Sequence, residues 1–418
     1  MSINRRKVVK GLGAAGLGAA TIGLPATVRA QAGPIRLGFL TIKTGPLASG
    51  GISMEQGLAV YLKEHDNKLG GRPVELFTAD TAGVPANTRS KTQELVERNK
   101  VQCIIGPLAA FEALAIDDYI KASQIPTLGV AAAEDMTQRK PNPWFVRATA
   151  CSAQGSYPMA DYAAKELKYK RVAVIADDFA YGHELIAGFQ RVFEESGGKV
   201  VQKLWPPLTV PDYGTYIAQI KTDVDALFLG FAGSNGFRFI RQFAEYGLKG
   251  KIPLIGGMTA IDEPLLANMG DEALGVMTSC WYSGQLDNPL NKKFNEQMKK
   301  EFKVDASYYA ATTNVSATVL DNALTILKGN VEDKNALMKT LRESVVPDSV
   351  RGPVKFDHLG NVVGDFYIRK VERKDGKLVN AVIKTYPNVS QFWTYGEEAF
   401  LKNPVYSRDF PPAKNLEN

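Results

Sequence analysis

The 418-residue sequence predicts an α/β protein built as two similar lobes. Three observations carry this expectation. From Ile35 onward, short runs rich in Val, Ile and Leu alternate with longer amphipathic segments, the pattern of βαβ units on a mostly parallel sheet. The pattern runs once to Val130 and begins again after Pro141-Asn142-Pro143. The length exceeds one ordinary core and implies about two to three domains.

The first series reads in order. Ile35–Leu40 is an apolar strand, and 53–68 is a helix with Met54, Leu58, Tyr61 and Leu62 at helical spacing. Gly70-Gly71-Arg72-Pro73 is a turn. Strands follow at 74–79, 101–106 and 127–130, with helices between them at 86–99 and 111–123. The second series places helices at 155–167, 181–196, 213–221 and 236–246, and strands at 171–176, 199–204, 226–231 and 252–256. A run at 274–278 leads into mainly helical chain at 290–302, 307–328 and 334–344. Strands return at 354–356, 365–371 and 379–384. The tail from Pro387 carries Trp393, Tyr395, Phe400 and Tyr406 among prolines, and is expected to lie against a lobe and fray at its end.

Residues 1–32 read as an export signal. Arg5, Arg6 and Lys7 precede a Gly/Ala-rich apolar stretch, Val8 to Leu24, that holds Lys10 near its start, and Val28-Arg29-Ala30 fits a small-x-small cleavage site near Ala30 or Ala32. The Arg5-Arg6 pair resembles a twin-arginine signal, with the general secretory route left open. The stretch is broken by Pro25 and too weakly apolar for a membrane anchor, and no cysteine near the cut offers a lipid attachment. Gly11-Leu12-Gly13-Ala14-Ala15-Gly16 matches the dinucleotide fingerprint, but it lies in this leader and lacks a preceding strand.

The leader holds five basic residues and no acid, so its removal takes the formal net charge from +6 to about +1. A nearly neutral chain has no electrostatic footprint for nucleic acid. Cys103, Cys151 and Cys280 form no metal or CxxC spacing, and their odd number leaves at least one thiol free. Cys103 sits in an apolar run and is read as a small core residue. His65, His183 and His358 are scattered. There is no G-x-S-x-G and no G-x-x-x-x-G-K-[ST], so no enzyme, cofactor or metal site is expected.

Several ordered landmarks carry a family resemblance: Ile35-Arg36-Leu37-Gly38-Phe39 with Thr44-Gly45-Pro46-Leu47, Gly70 to Leu76, Ile104-Ile105-Gly106-Pro107, Ile125-Pro126-Thr127, Pro143 to Arg147, Arg171 to Ile175, Tyr181-Gly182 and Arg351-Gly352-Pro353-Val354. The mature chain resembles the type I periplasmic-binding proteins of the branched-chain amino acid (Leu/Ile/Val) group. The resemblance implies two Rossmann-like lobes joined by a three-segment hinge, with a ligand cleft between them. The crossings would lie near 149–152, near 279–281 and near Gly352. Lobe 1 would be 33–150 plus 281–352, and lobe 2 would be 151–280 plus 353–418 with the C-terminal tail. It further implies a monomer in the periplasm that captures a small solute and passes it, closed, to the membrane permease subunits of an ABC transporter. A ligand sensor for a membrane receptor is the alternative.

In open α/β sheets ligands sit beyond the carboxyl ends of the strands, where helix starts present free N–H groups. The strand-exit loops are therefore the candidates. Ala109, Ala110 and Phe111 follow the third strand. The resemblance puts a serine at Ala110, so backbone N–H groups would serve here, and Phe111 is either cleft wall or core. Ala131, Ala132 and Ala133 allow close backbone approach. Phe179 and Tyr181 follow, Tyr181 matching the family's ligand-facing tyrosine. Asp177 and Asp178 are read as solvated helix caps. Phe231, Gly233 and Ser234 come next, with Ser234 either a helix cap or a contact. In Met258-Thr259, Met258 stands where amino-acid binders place the glutamate that meets the ammonium. A buried ammonium without an acid is costly, which favours an apolar or aromatic carboxylate. Glu134 or Asp135 as substitutes would keep amino acids open. Trp281 and Tyr282 are read as cleft lining or hinge packing.

Overall fold

A computed structural model describes residues 33–417. The leader expected at 1–32 lies outside the described residues. Residues 34–417 form one compact unit.

The chain begins with β1 (Ile35–Thr41), α1 (Ala48–Glu64), β2 (Lys68–Leu69), β3 (Arg72–Asp80), α2 (Pro85–Gln93), β4 (Cys103–Ile105), α3 (Ala110–Ser123), β5 (Thr127–Leu128) and β6 (Phe145–Val146). These strands form a sheet in the order β2-β3-β1-β4-β5-β6, parallel except for the β2–β3 pair. The helix expected from residue 53 begins five residues earlier. Gly50 and Gly51 look like loop residues but are close-approach glycines. A Cβ on Gly51 would stand 1.8 Å from the Ile42 carbonyl oxygen, so only glycine lets α1 start against the end of β1.

The second series gives α4 (Tyr157–Lys165), β7 (Arg171–Ala176), α5 (Ala180–Glu195), β8 (Lys199–Leu204), α6 (Gly214–Ile217), β9 (Ala226–Gly230), α7 (Asn235–Glu245), β10 (Leu254–Gly256), α8 (Glu263–Leu266) and β11 (Met277–Cys280). The helix expected over 213–221 is a single turn. The chain then returns to the first sheet, where α9 (Pro289–Phe302) and α10 (Tyr308–Ile326) pack on α1, and α11 (Lys334–Glu343) packs on α10. It crosses back through β12 (Val345–Val346) and β13 (Val354–Phe356) into the hairpin of β14 (Val362–Lys374) and β15 (Lys377–Val389). The tail carries α12 (Glu397–Leu401). The second sheet runs β12-β13-β14-β11-β10-β9-β7-β8, with β15 on β14. The hairpin strands are longer than expected because Asp375-Gly376 makes a tight turn, both residues at positive φ (50° and 77°), which extends the pairing to Lys374–Lys377.

The chain therefore passes between the sheets three times. Arg351, fully buried, knots the passages together. It donates to the carbonyls of Ala148 (3.0 Å) and Thr149 (2.7 Å) and stacks 4.4 Å above the Trp281 ring. All three cysteines are buried free thiols. The tail lies along α5, where Arg191 stacks on Tyr395, and its end reaches β7, where Glu417 pairs with Arg171. No described helix is long and apolar enough to cross a membrane.

Candidate functional site

The carboxyl ends of both sheets face one another across a small cavity of about 40 Å³. Leu47, Leu108, Ala109, Ala110, Val130 and Ala132 line it from the first lobe. Phe179, Tyr181, Ala232 and Thr259 line it from the second. Tyr308 and Tyr309, from the start of α10, complete it. None of the twelve side chains carries a charge.

Backbone groups supply the polarity on the first side. Glu112, buried, reaches back to accept the Ala109 N–H (2.9 Å) and is itself held by the hydroxyls of Thr81 and Thr88. Burial pushes its carboxyl above the usual range. The next two donors, the N–H groups of Ala110 and Phe111, find no acceptor among the described residues. They sit at the positive end of α3, where an anion is favoured. The start of α10 is already occupied, because Asp262 of the second lobe accepts the Tyr308 N–H at 2.8 Å.

On the second side, Tyr181 and Thr259 are 2.9 Å apart, oxygen to oxygen, and Thr259 donates to the Phe231 carbonyl at 2.7 Å. A carbonyl can only accept, so the Thr259 proton is committed and Tyr181 must be the donor to Thr259. Desolvation holds the Tyr181 hydroxyl protonated. Phe179 stands beside Tyr181 (centroids 5.9 Å) and meets Phe111 of the first lobe edge-on (5.6 Å, 70°).

The cleft is closed. Ser234 N–H donates to the Pro46 carbonyl (3.3 Å), and Gly233 N–H to the Tyr309 hydroxyl (3.1 Å), each across the two lobes. Gly233 lies at φ +58°, and a Cβ there would meet the Pro46 oxygen at 2.2 Å.

Of the residues singled out in the sequence, Ala109, Ala110, Ala132, Phe179, Tyr181 and Thr259 line the cavity. The others stand elsewhere. Phe111 is half-buried against Phe179. Ala131 and Ala133 face the core, the Ala131 N–H donating to Pro107 and the Ala133 carbonyl accepting from Arg147. The Phe231 ring packs with Tyr213 and Phe239. Gly233 and Ser234 make the lobe-to-lobe contact, and Ser234 occupies the N-cap of α7 without a side-chain cap bond. Met258 packs on Gly155, and its carbonyl accepts from the buried Arg369. Tyr282 donates to Asn291 (2.8 Å).

Asp177 departs from the solvated cap expected of it. It is fully buried and accepts from Ala232 N–H (2.9 Å) and the Asn235 amide (2.7 Å), tying the 231–235 loop to β7. Desolvation raises its carboxyl to about 7. Neither acid suggested as a substitute for the missing glutamate lines the cavity. Glu134 is buried and accepts the Ala153 N–H (2.8 Å), and Asp135 pairs with Arg139 (3.7 Å). Tyr308 and Tyr309 carry no local signal in the sequence beyond helical spacing.

The comparisons agree with this geometry. The family described as "Periplasmic binding protein" matches residues 34–377. A Leu/Ile/Val-binding protein homolog 6 of Brucella abortus (strain 2308) is 27% identical over 85% of this chain and 93% of its own. An ABC transporter substrate-binding protein from Sphaerobacter thermophilus is 31% identical, with TM-score 0.80, over 86% of this chain and 99% of its own. A solute binding protein of an ABC transporter from Rhodopseudomonas palustris BisB5, solved with 3,4-dihydroxybenzoic acid, is 32% identical, with TM-score 0.81, over 86% and 98%. With a family match across most of its length and two lobes closed on one cavity, the chain belongs to the periplasmic binding protein family.

Proposed function

We propose that the chain is the substrate-binding component of an ABC transporter and captures a small aromatic or apolar carboxylate in the cleft between its lobes. One observation carries the ligand class. The cavity offers unpartnered backbone N–H groups at the start of α3 but no charged side chain, acidic or basic. Such a site suits an anion on an apolar body. An α-amino acid would bring an ammonium with no carboxylate to meet it, and the desolvation of that charge would go uncompensated. The aromatic acid held by the R. palustris relative supports the same class.

On this reading the carboxylate rests on the Ala110 and Phe111 N–H groups. The ring lies among Phe179, Tyr181, Leu108 and Val130. The protein works in the periplasm, exported by its leader, and opens and closes about the three crossings near Thr149, Trp281 and Gly352. Its partners are the ligand and the permease subunits. It performs no chemistry on the ligand.

A thermal-shift panel of benzoate, 3,4-dihydroxybenzoate, leucine, valine, short fatty acids and polyamines tests the class, with titration calorimetry for each hit. Ligand at 100 times its Kd stabilises the native state by about 2.7 kcal/mol. Benzoates are expected to shift the transition. A shift with leucine or valine but none with benzoates would overturn the ligand class.

A further inference from the structure

We propose that Tyr309 couples ligand contact to cleft closure: its hydroxyl oxygen accepts the Gly233 N–H from the second lobe while its proton goes to an acceptor oxygen of the ligand. This rests on the reading of the cavity as a carboxylate site and adds to it a second point of recognition.

The geometry is specific. Tyr308 and Tyr309 open α10 and both line the cavity, their rings nearly perpendicular (88°) at 5.1 Å. Of the four hydroxyl groups around the cavity, those of Tyr181 and Thr259 are committed. Tyr181 donates to Thr259, and Thr259 donates to the Phe231 carbonyl. Tyr309 differs, since its one hydrogen bond is accepted from Gly233 at 3.1 Å. A phenol that accepts still holds one proton to give, and the one hydroxyl close to it, that of Thr259, already accepts from Tyr181. An O–H whose oxygen already accepts an N–H is polarised and becomes the better donor. Burial holds the group protonated, so it reaches the cavity as a donor.

Both halves of the hydrogen-bond chain, ligand to Tyr309 and Tyr309 to Gly233, exist only when the lobes are together. Ligand first meets the open form, so losing the Tyr309 hydroxyl should leave association unchanged and speed dissociation. The recognised ligand is then an acid whose acceptor oxygen reaches the start of α10. It is either the carboxylate itself or a hydroxyl or carbonyl on the ring.

The test uses residues 33–418 carrying Tyr309→Phe, with 3,4-dihydroxybenzoate, benzoate and leucine as probes. Calorimetry gives Kd, stopped flow gives the two rate constants, and small-angle scattering follows compaction at saturation. The expected result is Kd weakened on the order of tenfold, carried by dissociation, with ligand-induced compaction reduced and the melting temperature of the free protein unchanged. Tyr395→Phe, which loses a hydroxyl that donates to Glu195 at the end of α5, away from the cleft, is the control and should keep wild-type Kd and compaction. Unchanged Kd and dissociation would overturn the proposal. So would weaker binding with full compaction, or a loss shared equally by association and by the stability of the free protein. If wild type binds leucine and no benzoate, the ligand class fails, and Tyr309→Phe is judged on leucine, whose carboxylate also supplies an acceptor.

Discussion

The strand-exit loops of the first lobe line the cleft with aliphatic residues, whereas those of the second lobe, joined by Tyr308 and Tyr309 at the start of α10, line it with rings and hydroxyls. Ala109, Ala110 and Ala132 leave the backbone bare on one side, and the N–H groups of α3 are the reachable polar atoms there. Across the gap, Phe179, Tyr181 and Thr259 present side chains already fixed to one another by contact and hydrogen bonds. The difference separates two tasks. A wall of backbone donors recognises charge, and tolerates only small side chains because anything larger would cover the amides. A wall of locked rings recognises shape, and does so with little conformational entropy left to lose on binding.

Four substitutions or conditions probe this division, in order of expected effect. Gly233→Val keeps the two walls from meeting, since it needs a left-handed backbone and collides with the Pro46 oxygen. Ligand affinity should fall by roughly 100-fold or more as the closed population is lost, read by calorimetry and scattering together. Tyr181→Ala removes the central ring of the shape wall and its bond to Thr259. A loss of about 2 kcal/mol, near thirtyfold in Kd, is expected, and wild-type affinity would dissolve the comparison.

Third is pH. Asp177, which fastens the Ala232–Asn235 loop, has its carboxyl raised to about 7 by burial. The folded state therefore binds this proton more tightly than the unfolded chain, where the ordinary value is 3.8. The stabilisation is full below about pH 4 and is lost as pH rises through 7. Asp177→Asn removes that titration, so the excess of wild-type over variant stability in urea should shrink between pH 4.5 and pH 7.5. The smallest effect belongs to Ala110→Ser. It adds one hydroxyl beside the α3 amides and should strengthen carboxylate binding by a few-fold, about 0.5–1.5 kcal/mol at most. Weaker binding would mean that the anion does not rest there.

The alternation of strands and helices was legible because the first sheet and the β7–β11 part of the second are mostly parallel and buried on both faces, leaving apolar runs between amphipathic ones. The same burial hid which way individual side chains turn. Phe231 and Met258 sit in strand-exit loops like Ala232 and Thr259, yet they face the core. With apolar residues on both faces of the sheet, hydrophobicity cannot tell cavity from core. Asp177 looked solvated because two adjacent acids before a helix fit a cap. Its partners, Ala232 and Asn235, lie more than fifty residues away and left no local trace. Tyr308 and Tyr309 arrive from beyond the second crossing, at the head of a helix whose spacing is satisfied by packing on α1. The early start of α1 and the long β14–β15 hairpin follow from Gly51 and from Asp375-Gly376, whose conformational demands are readable once their neighbours are known.

A cavity whose polarity comes from amide dipoles has a kinetic signature. Lysines and arginines around a site draw anions from a distance, and salt in the surrounding fluid weakens that pull within a Debye length of about 8 Å at physiological ionic strength. Here no cationic side chain stands in the wall, and the helix start is enclosed by both lobes. Capture should therefore proceed at nearly the same rate in dilute and in concentrated media, a useful trait for a periplasmic protein whose surroundings vary in ionic strength.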